Sequence, residues 1–595
     1  MSAPRPDARE RLAALRAAAP FELAFAAVTL ALAAPLIASQ HVPLQDLPQH
    51  MAATAALKRL LFGHSLDAYY TLALSRTQYL IVYALAIPLS WVAGVEGALK
   101  LVAGLTVISL PYALRFVLRR TGRDERLACL AWPLAWNPQM MLGFLNFLIG
   151  VPIALVAVGL LVDREARARR RTQVALALLA LASFYAHLIP FGMLGLGALL
   201  LLQTDDLVDA SRAWPARLRA FAGRAAKDLA FLAPALLAAA VWVLRTPATD
   251  ESVRAGGVGV VARAEWPALA SLPRELSGVL LEFPGDRDER ALLLWGAAVL
   301  VAAALSMRAG REDEPPSARV TLGAAALFAA VYLVRHRAFA WVWGMDAAPE
   351  ETWSQILGRA VCVAAIGAFV GGARARRVPA RWPDAAARLA WLPVLCGALY
   401  ALTPVSYGWI WPIHTRFAVA AALVSPLLVG GVGSLGVSGR AVMALCAAAA
   451  LGMSADLGER FARWESSELG DLDEVLSRAA PGRRLVALLS PQSSAEVPNV
   501  PLLHVAAYYQ VRGGDVATFS FADFPQSPFR FREDGPRPPR LRPRWEWQAE
   551  LDAADPEHRY YDYVLCRRGV DQPERYPDRY ERVHEGRAWI LYRRR

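Results

Sequence analysis

The chain has 595 residues, 56% of them hydrophobic and only 19% charged, with a mean hydropathy of +0.30. Soluble chains carry about 25% charge, so this composition excludes a soluble or disordered protein and marks an integral membrane protein. The net charge of +12 does not point to nucleic acid, because residues 456–595 hold 22 Arg against 23 Asp and Glu. The basic surplus lies within 1–455, in short clusters between apolar runs, as the positive-inside rule expects.

Residues 21–39 form the first apolar run, long enough for one crossing of about 30 Å of hydrocarbon. Arg5, Arg9, Arg11 and Arg16 precede it, so residues 1–20 are expected to be cytoplasmic. The run exceeds a signal-peptide core of about 7–15 residues and reads as a retained anchor. An external loop, 40–77, follows. Runs 79–93 and 99–118 are both apolar, but two crossings would leave Arg119, Arg120, Arg123 and Arg126 outside. Run 79–93, broken by Pro88, is therefore assigned to a helix at the outer interface, and 99–118 crosses inward.

Further spans are expected near 127–142, 143–162, 173–187, 188–203, 229–245, 291–307, 319–334, 355–372, 389–403, 416–436 and 440–455. The membrane domain then covers 21–455 with 13 crossings, and residues 456–595 lie outside. The external loop 246–290 contains Gly256-Gly-Val-Gly, which lacks a preceding strand and a following Lys-Ser/Thr, so it is not a phosphate loop. In the C-terminal region, strand-like stretches at 485–489 and 517–521 flank a helical 502–511. Further strands are expected at 561–567, 580–585 and 589–592, the last two as a hairpin around Gly586. Residues 525–544, rich in Pro and Arg, read as an irregular loop. The expected fold is thus an all-α polytopic membrane protein of about 13 helices with a small extracytoplasmic α/β domain. The five cysteines form no CxxC and no Cys/His cluster, so no structural zinc is indicated.

The first loop reads Gln40-His-Val-Pro-Leu-Gln-Asp46-Leu-Pro-Gln-His50. Asp46 stands before Pro48 and an alanine-rich stretch, where it is either a helix N-cap or a carboxylate acting as general base at the outer face. His50, four residues on, shares a helix face with it or is simply an interfacial polar residue. This acidic position soon after span one, together with the basic turn 119–130, resembles the C-type (GT-C) membrane glycosyltransferases. That group includes the protein mannosyltransferases and the lipid A aminoarabinose transferases. The resemblance implies a bacterial inner-membrane transferase using a polyprenyl-phosphate-linked sugar and a lipid, glycan or protein acceptor. In it, Asp46 activates the acceptor hydroxyl.

Two departures from the family pattern stand out. Many relatives pair two acids in the first loop, but Gln45 and Leu47 flank Asp46. Many also place an acid after the third span, where this chain reads Gly143-Phe-Leu-Asn146-Phe. One carboxylate and one amide make a poor divalent-cation cage, so neither a cofactor nor a metal is expected. A donor phosphate calls for an external cation. Arg416, with His414, is the first candidate, since guanidinium engages phosphate oxygens through paired hydrogen bonds; otherwise it snorkels at the interface. Arg335, His336 and Arg337 form a second external cluster.

His187 and Arg359 are ionisable groups near or within spans, where such groups are costly and often functional. Asn146, His187, Asp67 and Tyr69, with Tyr70, are groove candidates; the last three also suit a plain loop with an aromatic anchor. In the outer domain His504, Tyr508, Asp515 and Asp523 serve acceptor recognition or support. Two other classes stay open: a transporter or flippase for a lipid-linked saccharide, and a non-catalytic assembly scaffold. Transporters often show two related halves, and no such symmetry is present.

Overall fold

The computed structural model describes residues 8–209, 211–245, 384–405, 410–428, 437–489, 492–539, 543–544, 548–549, 559–570, 572–575 and 577–595. The loop 246–290, the spans expected within 291–372, and Arg335, His336, Arg337 and Arg359 lie outside these residues. Helix α1 (Ala8–Ala31) ends in a 3-10 turn, Ala34–Ile37. Its buried Thr29 accepts a hydrogen bond from Trp132 Nε1 at 2.9 Å, which ties it to the chain beyond the next membrane helix. Helix α2 (Leu47–Phe62) starts with Pro48 in its first turn, where the missing N–H has no helical partner to lose.

Helix α3 (Ile81–Arg120) breaks at Gly94, whose φ of 68° and ψ of 171° suit glycine alone. The break falls between the two apolar runs that the charge pattern separates. Beyond it, buried Leu99, Val102, Leu110 and Leu114 join the main core, and the helix packs along α4 (Leu145–Leu161), with Phe116 and Val117 against Gly159. Helix α4 is apolar and buried on nearly every side, wedged between α3, α5 (Arg170–Ala186) and α6 (Leu188–Leu200).

The expected span 127–142 is not a continuous helix. It forms a 3-10 segment, Glu125–Ala131, then irregular buried chain, then one turn, Pro138–Met141. Pro133 and Pro138 each remove an N–H donor, and Asn137, before Pro138, is extended at φ −129° and ψ 168°. Asn137 Oδ1 instead accepts from the N–H groups of Gln139 and Met140, at 3.0 and 3.2 Å.

Helices α7 (Trp214–Asp228), α8 (Ala233–Arg245), α9 (Trp391–Leu402), α10 (His414–Val424) and α11 (Val437–Trp464) complete the helical part. Among the described residues, Ile81–Arg120 and Ala385–Leu402 are long and apolar enough to cross a membrane. The bent pair Trp214–Asp228 and Ala230–Arg245 is a third if taken as one span, while Pro20–Ala31, Leu145–Leu161 and Leu188–Leu200 are apolar but shorter.

Helix α11 runs without a break past the expected end of the last span and leads into the C-terminal domain, which opens with α12 (Leu472–Ser477). Strand β1 (Tyr70–Leu72) belongs to the first loop; β2 (Arg484–Leu488), β3 (Val516–Ala517), β4 (Phe529–Phe531), β5 (Tyr563–Arg567), β6 (Tyr580–Glu585) and β7 (Trp589–Arg594) follow. The main sheet has the order β3-β2-β5-β7-β6, with β2 parallel to β3 and β5, and β7 antiparallel to β5 and β6.

Side chains alternate across this sheet as the two-residue period requires. Val486, Leu488, Val564, Cys566 and Ile590 form one apolar face, and Leu485, Leu565, Trp589 and Leu591 join the main core on the other. Three expectations shift here. The strand 517–521 stops at Ala517 and the helix 502–511 shrinks to α13 (Ala507–Val511). The loop 525–544 contains β4, which pairs antiparallel with β1 and so joins the first loop to the C-terminal domain.

Candidate active site

The first loop is laid against the turn after Asn137 by a short backbone ladder. Gln45 and Asp46 N–H donate to the carbonyls of Met141 and Leu142 at 3.0 and 3.1 Å. Gly143, at φ +80°, permits this approach, since a Cβ there would stand 2.9 Å from Asp46 N and 3.1 Å from Asp46 Cβ. Asp46 holds the N-cap position of α2, yet its backbone is already helical and its side chain makes no capping hydrogen bond. The carboxylate is turned instead to a cavity of ≈ 440 Å³. There it lies 3.3 Å, Oδ1 to Nε2, from His504 of the C-terminal domain.

His50 lines the same cavity one helical turn on. Its Nδ1 is 3.0 Å from the Tyr83 hydroxyl, and its ring meets Phe521 edge-on at 5.3 Å. Burial pushes this imidazole down to about 4, so it is neutral at neutral pH beside Asp46.

The opposite wall comes from α10 and the ends of α3, α4 and α5. Asn146 Oδ1 accepts from Val82 N–H at 3.3 Å. Arg416 is 6% exposed. Its Nη1 lies 2.8 Å from His187 Nε2, its guanidinium sits 4.5 Å from the centre of the Phe144 ring, and the Tyr79 hydroxyl is a further partner. Its Nε has no partner, and among the described residues no carboxylate lies within 4 Å of it. His187 Nδ1 is 3.1 Å from Ile189 N–H, which caps α6, and its ring stacks on Tyr79 at 5.5 Å.

Of the residues that the sequence singles out, Asp46, His50, Asn146, His187, Arg416 and His504 therefore line one cavity. His414 does not, because two residues' spacing sends it to another side of α10, beside Tyr400 at 5.2 Å. Asp67 is solvent-exposed and pairs with His64 at 3.1 Å. Tyr69 stands next to the β1–β4 pairing rather than at the cavity. Tyr79, Tyr83, Trp411, Phe519 and Phe521 line the cavity without having been singled out. For the first two a signal existed: hydroxyl rings four residues apart in the run assigned to the outer interface. Among the described residues, no group of three or more His, Cys, Asp or Glu is arranged to hold a metal ion.

No protein-family model matches the sequence, and no curated protein matches it. Two solved structures are similar to it. The crystal structure of ArnT from Cupriavidus metallidurans bound to undecaprenyl phosphate has a TM-score of 0.44 and 12% identity, over 97% of this chain and 98% of that one. The apo-state structure of the same protein has a TM-score of 0.43, with the same identity and coverage.

Proposed function

We propose that this chain is a membrane glycosyltransferase of the bacterial inner membrane, moving a sugar from a polyprenyl-phosphate donor to an acceptor hydroxyl at the external face. The N-terminus is cytoplasmic and residues 456–595 are extracytoplasmic. The observation that carries the reading is the pairing, in one cavity, of a buried guanidinium lacking a carboxylate partner and a carboxylate released from capping. A buried cation of this kind is stabilised by an anion, and phosphate matches the donor geometry of Arg416.

The acceptor oxygen bonds to the anomeric carbon while Asp46 takes its proton. The bond from that carbon to the phosphate oxygen breaks, and its electron pair leaves with the phosphate, beside Arg416. The cavity volume falls within the roughly 300–1,000 Å³ of small-molecule sites. Its aromatic walls suit a sugar and the first part of a lipid chain.

Replacing Asp46 with Asn keeps the shape and removes the base. Transfer from polyprenyl-phosphate-linked sugars by purified Asp46→Asn protein is expected to fall at least about 100-fold, with expression unchanged. A variant that transfers at the wild-type rate would sink the mechanism and leave the scaffold or transporter reading in its place.

A further inference from the structure

The outer domain contributes one group to the membrane-face site whose role the transfer chemistry above does not use. We propose that His504 is a positioning residue for Asp46, donating from Nε2–H to its carboxylate; this rests on the glycosyl-transfer reading. The ring is 2% exposed and lines the cavity, with Nε2 3.3 Å from Asp46 Oδ1. Its other nitrogen, Nδ1, is buried and has no hydrogen-bond partner.

A neutral imidazole carries one N–H. Placed on Nδ1, that hydrogen would be a buried donor without an acceptor, which is costly; placed on Nε2, it is on the nitrogen 3.3 Å from Asp46 Oδ1. The orphaned Nδ1 thus favours the arrangement in which the hydrogen is on Nε2, facing the carboxylate.

The support beneath the ring points the same way. His504 stacks on Phe519 with centroids 4.6 Å apart and planes at 27°. Phe519 is held at a φ of 50°, a left-handed backbone that a bulky side chain adopts only where its surroundings impose it. Gln49 imposes it: its amide nitrogen bonds the Phe519 carbonyl, and its oxygen accepts from Phe521 N–H at 3.3 Å. Gln49 lies three residues after Asp46, so one helix holds both the carboxylate and the platform under its partner.

Where the resembled family sets a second acid near the first, this chain has Gln45 and Asn146. With His504 as donor, one oxygen of Asp46 is fixed and the other is left to take the acceptor proton. His504 keeps its own proton throughout, so the bonds made and broken are those of the transfer itself.

The test uses the purified full-length protein, a panel of polyprenyl-phosphate-linked pentoses and hexoses, and release of polyprenyl phosphate as the readout. His504→Phe keeps the ring on Phe519 and removes the N–H. Its kcat is expected to fall roughly 10- to 100-fold with donor KM unchanged, the effect of a misplaced catalytic group. His504→Gln, whose amide restores a donor, is expected to recover most of the rate.

Wild-type kcat in His504→Phe overturns the assignment. So does an equal loss in both variants accompanied by a lower thermal midpoint, which makes the ring a packing element. If Asp46→Asn is inactive while His504→Phe is fully active, only this inference fails. If Asp46→Asn is active, or the wild type releases nothing from any donor, the transfer reading fails with it.

Discussion

Arg416 has the hardest physical position of any side chain in the cavity. A guanidinium taken out of water needs compensation, and its partners are His187, Tyr79 and the face of Phe144, none of them anionic. On the proposed reading, the donor phosphate would supply the missing charge. Removing the cation from a buried, hydrogen-bonded charge pair costs about 2–5 kcal/mol. Arg416→Gln is therefore expected to weaken undecaprenyl phosphate binding by about thirtyfold or more, while Asp46→Asn leaves it unchanged. Arg416→Lys recovers part of the affinity, since it keeps the charge and loses the paired donors. Equal affinity in wild type and Arg416→Gln, measured by titration with undecaprenyl phosphate, would place the phosphate elsewhere. Asp46 and Arg416 were legible in the sequence, Asp46 chiefly through the family resemblance and Arg416 as a cation expected at the outer interface, and both line the cavity. The pairing of His504 with Asp46 was not, since nothing local in 499–504 records which loop it will meet.

The elements that deliver these side chains are short and joined over long sequence distances. The turn at Gly143 is the clearest case. Its positive φ and its 2.9 Å approach to Asp46 N leave no room for a Cβ. Gly143→Ala is expected to cost about 1–3 kcal/mol of stability through forced backbone strain. It should also lower transfer by roughly 100-fold, because a shift of about 1 Å at a catalytic group has that effect. A thermal midpoint and a rate at wild-type values would show that the ladder to Met141 and Leu142 does not position Asp46. The strong periodic runs were readable as helices, notably Leu145–Leu161 and Leu188–Leu200, because apolarity over three turns or more has few other outcomes. Residues 127–142 misled because the apolar content is there, but the chain is 3-10 over Glu125–Ala131 and extended at Asn137 before Pro138. The pairing of Tyr70–Leu72 with Phe529–Phe531 is three residues per strand, too few for alternation to show, and depends on a contact between distant segments.

On the scale of the whole molecule, the cavity is lined jointly by the first loop and the C-terminal domain docked on it. Arg59 Nη2 to Asp515 at 2.6 Å, the β1–β4 pairing and Gln49 hold one side. His41 holds the other: Nδ1 is 2.9 Å from Glu465 and Nε2 3.1 Å from Asp473, while Gln40 and His41 N–H donate to Glu465 at 2.8 and 2.7 Å. The charges and titratable groups facing His41 are Glu465, Asp473 and Glu96, with Tyr508 against its ring and Arg512 bound to Asp473. Lys100 is nearby, donating to the Ser39 carbonyl at 2.7 Å. Burial pushes the His41 imidazole down, but Asp473 and Glu465 outweigh it and hold it above its ordinary value of 6.5. A histidine with a raised folded value contributes stability that is complete below its unfolded value and is lost as pH rises through the folded one. Asp473 is held below the usual carboxylate range: burial raises it, but His41 and Arg512 outweigh that, so its contribution is lost only as pH falls in the acid range. The clamp therefore weakens towards alkaline pH. His41→Gln is expected to lower stability by about 1.5–3 kcal/mol, the range for hydrogen bonds to charged groups, at about pH 6, and by less at about pH 9. Thermal midpoints of wild type and variant should then converge as pH rises, with wild-type transfer falling in parallel as the cavity loses its outer wall. A gap between the two midpoints that stays constant from about pH 6 to about pH 9 would show that His41 does not make the docking of the C-terminal domain titrate in that range.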